Sequence, residues 1–431
     1  MAPHDPEAHR GRFLSTLRLQ YPDAVDAQDG GYRLLHPETG EYYTGDHRHL
    51  VATCRSIANF AAGAIADGPD WCLDAAEHGL EFLESAHRAD GHDGGDSGSA
   101  THGYHLVVNA DGEPVDRTRS AYGQAFVLLA YARAADAGVD GAESGLAATV
   151  DLLDERFHDG TGCLRSDCDP DWSEREPYRG QNANMHACEA YLAAYEATGD
   201  EEYLDRASGI ASRITVDLAA ETDGLLWEHY TADWEHDFAY NADEPRHQFR
   251  PPGYQPGHHV EWAKFCALLD RYGADVPAAL TAEGGEGGEG GEDGWYGRAI
   301  ELFDTAVDLG WTEGGFAYTV EADGEIIVGD RYGWTFAEGI GAAAALAERA
   351  RDRGDEDAAA RFTDRHRRFV GDVDAYRGPA GLWYEKLPAV GKTEIGDEVD
   401  TATPTPPEPP GVEPDYHPAS AFFESWRSGR L

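Results

Sequence analysis

Six stretches of this chain are apolar on nearly every face of a helix, and their alternation with amphipathic stretches constrains the fold more than any other feature. They are HLVATCRSIANFAAGAI from residue 49, YGQAFVLLAYARA from 122 and NMHACEAYLAAYEA from 184, then GHHVEWAKFCALLDRYG from 257, YGWTFAEGIGAAAALAERA from 332 and YHPASAFFESWR from 416. Their starts lie 73, 62, 73, 75 and 84 residues apart. More polar amphipathic segments intervene near 8–20, 73–88, 142–156, 202–218, 295–309 and 355–371. A helix that is apolar all round needs cover on every side, so the first set belongs inside a ring made by the second. The expected fold is all-α: an (α/α)6 barrel of six inner and six outer helices, one domain spanning residues 1–431.

Short alternating segments interrupt the helices. GYHLVVNADGEPVD (103–116) and GGFAYTVEADGEIIVGD (314–330) each carry an Asp-Gly turn between apolar-polar alternations. They predict β-hairpins ahead of the second and fifth inner helices. Two insertions break the pattern: the acidic glycine repeat at 281–294 reads as a flexible linker, and the proline-rich stretch at about 389–414 as an extended one. The second lies just before His417. It is read foremost as a solvated loop, the other reading being a narrowed entrance that excludes disaccharides.

Charge bears on the setting. The chain holds 34 basic and 81 acidic residues, a formal net charge of −47, and only three of the bases are lysines. The acids are spread along the whole length, not gathered against one cationic partner. Such a surface suits a cytosol at multimolar salt, where screening removes self-repulsion and hydrated carboxylates keep the protein soluble. It disfavours nucleic acid and anionic membranes as partners. The start MAPHDPEAHRGRF has no apolar signal segment and no run of 18 apolar residues follows, so a cytoplasmic protein is expected. Six scattered cysteines form no CxxC pair and read as small buried side chains.

Inner helices of such a barrel run in one direction, so polar residues at their starts share one mouth. Those starts carry Arg55, Tyr122, Asn182, Asn184, His186, His258, Glu261, Trp334, Glu338 and His417. Singly, each has a bland reading: a histidine or aromatic as core, an arginine as a clamp on a helix end. Carboxylates such as Glu261 and Glu338 are rarely buried on an apolar helix without a purpose. Together the set reads as a site. His258 and Glu261 are three apart, as are His186 and Glu189, so each pair shares a helical face on which the carboxylate is placed to orient its imidazole. Arg55 is suited to stabilise an oxyanion beside an abstracted proton. This chemistry fits removing a proton next to a carbonyl and returning it elsewhere.

The motifs PGHHVEW (256–262), NMHACEA (184–190), YGQAF (122–126), HLVATCR (49–55), YGWTFAE (332–338) and YHPASAFF (416–423) resemble the N-acylglucosamine 2-epimerase family. The likeness extends over roughly residues 10 to 428. It implies an (α/α)6 barrel and interconversion of sugars through a cis-enediol, with neither metal nor redox cofactor. It further implies that His258 and His417 are the acid/base pair, that Arg55 holds the enediolate oxygens, and that Glu261 and Glu338 support them, with Glu261 holding His258. His186, Asn182, Asn184, Tyr122, Trp334 and Trp383 of GLWYEKL then line the sugar site, and His259 is structural.

The family divides into aldose–ketose isomerases and 2-epimerases that use the same histidines. The stretch DEPRHQFRPPGYQPGHHVEWAK is more similar to the mannose-isomerase side, which favours mannose to fructose. Sulfoquinovose is a second candidate if the mouth is rich in arginine. Outside this class, Glu261 and Glu338 would serve as the carboxylates of a glycosidase. A binding protein with a degenerate site, or a metal centre built on His258 and Glu261, completes the alternatives.

Overall fold

A computed structural model describes residues 5–89, 102–281, 293–389, 404–407 and 411–429. The inner set is α2 (Leu50–Ile65), α4 (Ala121–Asp136), α6 (Gln181–Thr198), α8 (Pro256–Tyr272), α11 (Gly333–Arg353) and α13 (Tyr416–Arg427). The outer set is α1 (Pro6–Gln20), α3 (Trp71–Phe82), α5 (Ala142–Leu152), α7 (Glu201–Ser212), α10 (Gly294–Gly310) and α12 (Glu356–Asp372), with a single turn α9 (Ala278–Thr281) ahead of α10. Each inner helix packs on the next in chain order, and α13 returns to α2, closing the ring. α1 lies on α13, α3 on α2, α5 on α4, α7 on α6, α10 on α8 and α12 on α11. The protein is an (α/α)6 barrel, as the periodicity predicts.

Small residues allow the ring to close. The run GIGAAAALA brings α11 close to its neighbours, with Gly341 against the Lys264 stem on α8. Gly257 at the start of α8 lies under Trp334 and Thr335, and a Cβ there would come within 2.6 Å of both. Glycine is therefore required for α8 and α11 to meet at the mouth. A continuous buried core runs from Phe13 on α1 to Trp426 on α13. At the far ends of the inner helices, Arg271 bonds Glu348 and Glu424, and Arg427 bonds Glu196 and Glu424.

Three outer helices end in a π-helical turn that periodicity does not disclose: Leu83–His87, Leu153–Phe157 and Arg213–Leu218. The expected hairpins form. β1 (Arg48–His49) pairs with β2 (Val107–Val108), which pairs with β3 (Pro114–Asp116), directly ahead of α4. β4 (Tyr178–Gly180) pairs antiparallel with β5 (His229–Thr231), Gly180 opposite His229. β6 (Trp311–Thr312) pairs with β7 (Gly315–Phe316), β8 (Thr319–Val320) with β9 (Ile326–Val328), and β10 (Arg331–Tyr332) with β11 (Lys386–Leu387). These strands lead the chain into the starts of the inner helices.

The linker at 281–294 falls almost wholly outside the described residues. Of the stretch 389–414, residues 390–403 and 408–410 also lie outside them. Its described parts are not a free loop. Thr405 exchanges backbone bonds with Lys386, and 411–414 enter the barrel mouth. Among the described residues, no helix is long and apolar enough to cross a membrane.

Candidate active site

The starts of all six inner helices contribute to one cavity that is open to solvent. Arg55, Tyr122, Asn182, His186, His258, Glu261, Trp334, Trp383 and His417 line it. The barrel brings them together because each lies in the first two turns of its helix or, for Trp383, in the loop after α12.

Three histidines are held in the same way, Nδ1 to a carboxylate. His258 Nδ1 lies 2.9 Å from both oxygens of Glu228, His186 Nδ1 2.9 Å from Glu189 Oε2, and His417 Nδ1 2.8 Å from Glu338 Oε1. A carboxylate on Nδ1 fixes the tautomer with the proton there, leaving Nε2 as the acceptor. Gln181 Nε2 also lies 2.8 Å from His258 Nδ1, and with the proton on Nδ1 its N–H is left to the carboxylate. Gln181 donates to Glu228 Oε2 at 2.8 Å while its own oxygen accepts from Trp262 Nε1 at 2.7 Å. Tyr416 donates to Glu189 Oε1 at 2.6 Å, and Arg55 Nη2 donates to His417 Nε2 at 3.2 Å. The Trp334 ring stands between two of the imidazoles, its centroid 5.1 Å from His258 and 5.8 Å from His417.

The partner expected for His258 is thereby corrected. Glu261 shares its helix face but does not hold it, and neither oxygen of Glu261 has a hydrogen-bond partner among the described residues. Burial, with the Glu338 carboxylate nearby, pushes Glu261 well above the usual carboxylate range against the pull of Lys264. The spacing rule placed the two on one face correctly; the imidazole edge that needs an acceptor is turned toward the strand pair β4–β5, where Glu228 waits. Glu338 is opposite in state. Burial opposes its charge, but Lys264 Nζ, bonded to its second oxygen, and His417 keep it below the ordinary value. Burial likewise opposes ionisation of Glu228, and His258 and Gln181 outweigh it. For His186, burial lowers the pKa to about 4 despite Glu189.

Asn184 is also corrected. It is buried beneath the site, accepting from Leu164 N at 2.6 Å and donating to Leu164 O and Gly180 O. It ties a loop to α6 and does not line the cavity. Glu338 does not line it either, since both oxygens are engaged below, so it does not bracket a glycosidic bond with Glu261 as a glycosidase would need. His259 turns away, with Nδ1 on Gln255 O at 2.9 Å and Nε2 accepting from Leu226 N at 3.0 Å.

Four functional candidates come from outside the inner-helix reading. Glu228 sits just ahead of β5, where WEH interrupts an apolar stretch. Lys264, one of three lysines in the chain, is buried on α8 among Glu189, Glu261 and Glu338. Glu413 Oε2 accepts from Arg55 Nη1 at 3.2 Å, and its Oε1 accepts from His417 N at 3.2 Å. Asp415, buried at φ +51°, accepts from Trp383 N at 3.2 Å through one oxygen, and burial raises its pKa to about 8. Residues 411–413 therefore form cavity wall, correcting the solvated-loop reading there.

Among the described residues, the mouth is not rich in free arginine. Arg246 pairs with Asp330, Arg250 with Glu176 at 2.6 Å, and Lys386 with Asp330 at 3.3 Å. Arg55 is the cation on the cavity wall, beside Glu261, Glu385, Glu413 and Asp415. Among the described residues, metal-ligating atoms gather about Glu261 and not His258. His186, Glu189 and Glu261 form one group, Glu261, Glu338 and His417 another, each with donor atoms within 4.8 Å. The Lys264 ammonium already supplies positive charge among these carboxylates.

The chain matches the N-acylglucosamine 2-epimerase family over residues 30–403. It is 35% identical to a D-mannose isomerase of Marinomonas mediterranea over 351 residues, 80% of this chain and 81% of the relative. A crystal structure of D-mannose isomerase superposes with a TM-score of 0.79 at 31% identity, covering 98% of this chain and 97% of that one. A cellobiose 2-epimerase from Spirochaeta thermophila shares the fold, with a TM-score of 0.70 at 20% identity over 98% and 97% of the two chains. With the family match spanning most of its length and so similar a relative beside it, the chain belongs to the N-acylglucosamine 2-epimerase family.

Proposed function

We propose that this protein is an aldose–ketose isomerase that converts mannose to fructose through a cis-enediol, as one catalytic domain in a high-salt cytosol. The observation that carries the reading is Arg55 Nη2 donating to His417 Nε2 at 3.2 Å. The cation suited to an enediolate oxygen and the base suited to the neighbouring C–H proton stand side by side. His417 takes the proton from C2, Arg55 stabilises the charge that moves onto oxygen, and His417 returns the proton to C1 on the same face. One base suffices for such a transfer, whereas inversion at C2 needs a donor on each face. His258, held by Glu228, exchanges the proton between O1 and the ring oxygen during ring opening.

Identity to D-mannose isomerases supports the substrate. So does the cavity wall, where Arg55 already faces the Glu413 carboxylate at 3.2 Å, a setting that favours a neutral hexose over a sulfonated or phosphorylated one. Glu261, with its carboxyl protonated, is placed to donate a hydrogen bond to a sugar oxygen.

The test is proton NMR of mannose with the enzyme in D2O containing high KCl and EDTA. Fructose forming with deuterium at the reacting carbon supports a metal-independent isomerase. Glucose appearing first replaces it with a 2-epimerase. Absence of both conversion and exchange with every monosaccharide tried, in folded enzyme, sinks the enediol reading.

A further inference from the structure

A base that moves a proton between two carbons either hands over the proton it took or trades it with water first. Which happens depends on whether the protonated base has a neighbour that reaches solvent. Most groups around His417 are sealed. Glu338, on its Nδ1 side, is 1% exposed and engaged by Lys264, and Arg55 is 4% exposed. Glu413 differs. Its side chain is 25% exposed at the cavity mouth, and its Oε2 lies 3.5 Å from His417 Nε2, the nitrogen that also accepts from Arg55 Nη2.

The position of Glu413 is fixed by its surroundings. Gly411 is pressed against Tyr43, where a Cβ would come within 2.4 Å of the hydroxyl. Val412 O accepts from Arg55 Nη1 at 3.0 Å, and Pro414 O from Asn59 Nδ2 at 3.4 Å. Glu413 Oε1 accepts from the backbone N–H groups of Tyr416 and His417 at the start of α13. That cap leaves Oε2 to face His417 and Arg55.

We propose that Glu413 is a further catalytic residue, the group through which the proton taken up by His417 exchanges with water; this rests on the isomerase reading above. When His417 has taken the C2 proton, its Nε2–H bond breaks as an Oε2–H bond forms on Glu413, the electron pair remaining on the imidazole. A water molecule at the mouth then accepts that proton from Glu413. A solvent proton returns by the reverse steps before delivery to C1, so no oxidant or co-reactant is needed. Glu413 thereby sets the ratio of solvent exchange to direct transfer, a quantity distinct from the rate of isomerisation.

The experiment uses mannose deuterated at C2, converted in H2O by the full-length enzyme and by Glu413→Gln. Deuterium retained at C1 of fructose is compared with deuterium released to water. The glutamine keeps an oxygen for the helix cap but cannot carry the proton. The wild type is expected to release label, and E413Q to lower the ratio of release to retention by at least about tenfold, the effect of losing a positioned proton carrier when water can partly replace it. Glu413→Asp, which retains a carboxylate, should recover part of the release. The measured quantity is a ratio taken at low conversion, before product re-enters the enediol, so it is readable even where E413Q is slow. An unchanged ratio in E413Q, or a wild type that retains all the label, overturns the inference while leaving the isomerase intact. A wild type that converts no mannose at all overturns both.

Discussion

His258 Nδ1 lies 2.9 Å from each carboxylate oxygen of Glu228, a residue 30 positions earlier and just ahead of β5. Both side chains are buried, and Gln181 fills the remaining acceptor space on the carboxylate. The anion therefore fixes the tautomer and supports the imidazolium that forms when His258 takes a proton.

Glu228→Gln keeps the shape and removes that anion. It should lower kcat on mannose by about 10²-fold or more with a much smaller change in KM, the signature of an orienting group acting through a base. Steady-state kinetics beside Glu261→Gln separates the two carboxylates. If E228Q is near wild type and E261Q alone loses kcat, Glu261 is the functional partner despite the geometry.

The barrel was legible because its signal is long and repeated. Inner helices such as α4 and α11 lack a polar face over many turns, and only an enclosed position tolerates that. Residues projecting from their starts, among them Arg55, His186, His258 and His417, were legible for the same reason. Much that the sequence hides lies in the connections. Glu228 sits just ahead of a three-residue strand whose pairing partner lies some 50 residues away, and short strands carry little periodicity. Glu413 follows a run of prolines that reads as solvated, yet its neighbours are anchored by Arg55, Asn59 and Tyr43. Asn184 misled because a helix start looks alike whether its side chain faces the axis or the loop beneath. Lys264 was hidden by its type, since a buried lysine is expected only where carboxylates converge, and that convergence exists only in three dimensions.

Lys264 is the cation among Glu189, Glu261 and Glu338, and it bonds Glu338 directly. Replacing it by methionine keeps the stem's bulk and strands buried negative charge. Lys264→Met should lose about 3–5 kcal/mol of stability at neutral pH, as breaking one side of a buried ion pair does. Adding Glu338→Gln should return part of the loss. Denaturant unfolding in high KCl measures both, and fully additive effects would show that the two do not interact.

The charge of −47 is spread over the surface, so self-repulsion should dominate the salt response. Screening shortens from about 10 Å at 0.1 M salt to about 3 Å at 1 M, so repulsion between surface carboxylates is damped over that range. The midpoint of thermal unfolding should therefore rise steadily as KCl goes from tenths molar to molar. A midpoint that is flat or falls over that range contradicts adaptation to a high-salt cytosol and leaves the acidic composition to be explained otherwise.

Asp415 supplies a pH test with a defined sign. Its ordinary pKa of 3.8 is raised to about 8 in the fold, first by burial and further by Glu413, against the Trp383 N–H bond. Below the ordinary value the carboxyl is protonated whether the chain is folded or not, and its contribution is fully present. As pH rises the unfolded chain releases that proton while the folded protein keeps it, so stability falls until the folded carboxyl ionises near pH 8 and then levels off. Asparagine has the same shape, tolerates the φ of +51° better than most residues and cannot ionise. Asp415→Asn should therefore gain on the wild type progressively between about pH 4 and pH 8, its unfolding midpoint moving ahead as pH increases. Thermal unfolding of both proteins in constant KCl at a series of pH values decides it. A difference that does not grow with pH over that window would mean that Asp415 is ionised in the folded protein.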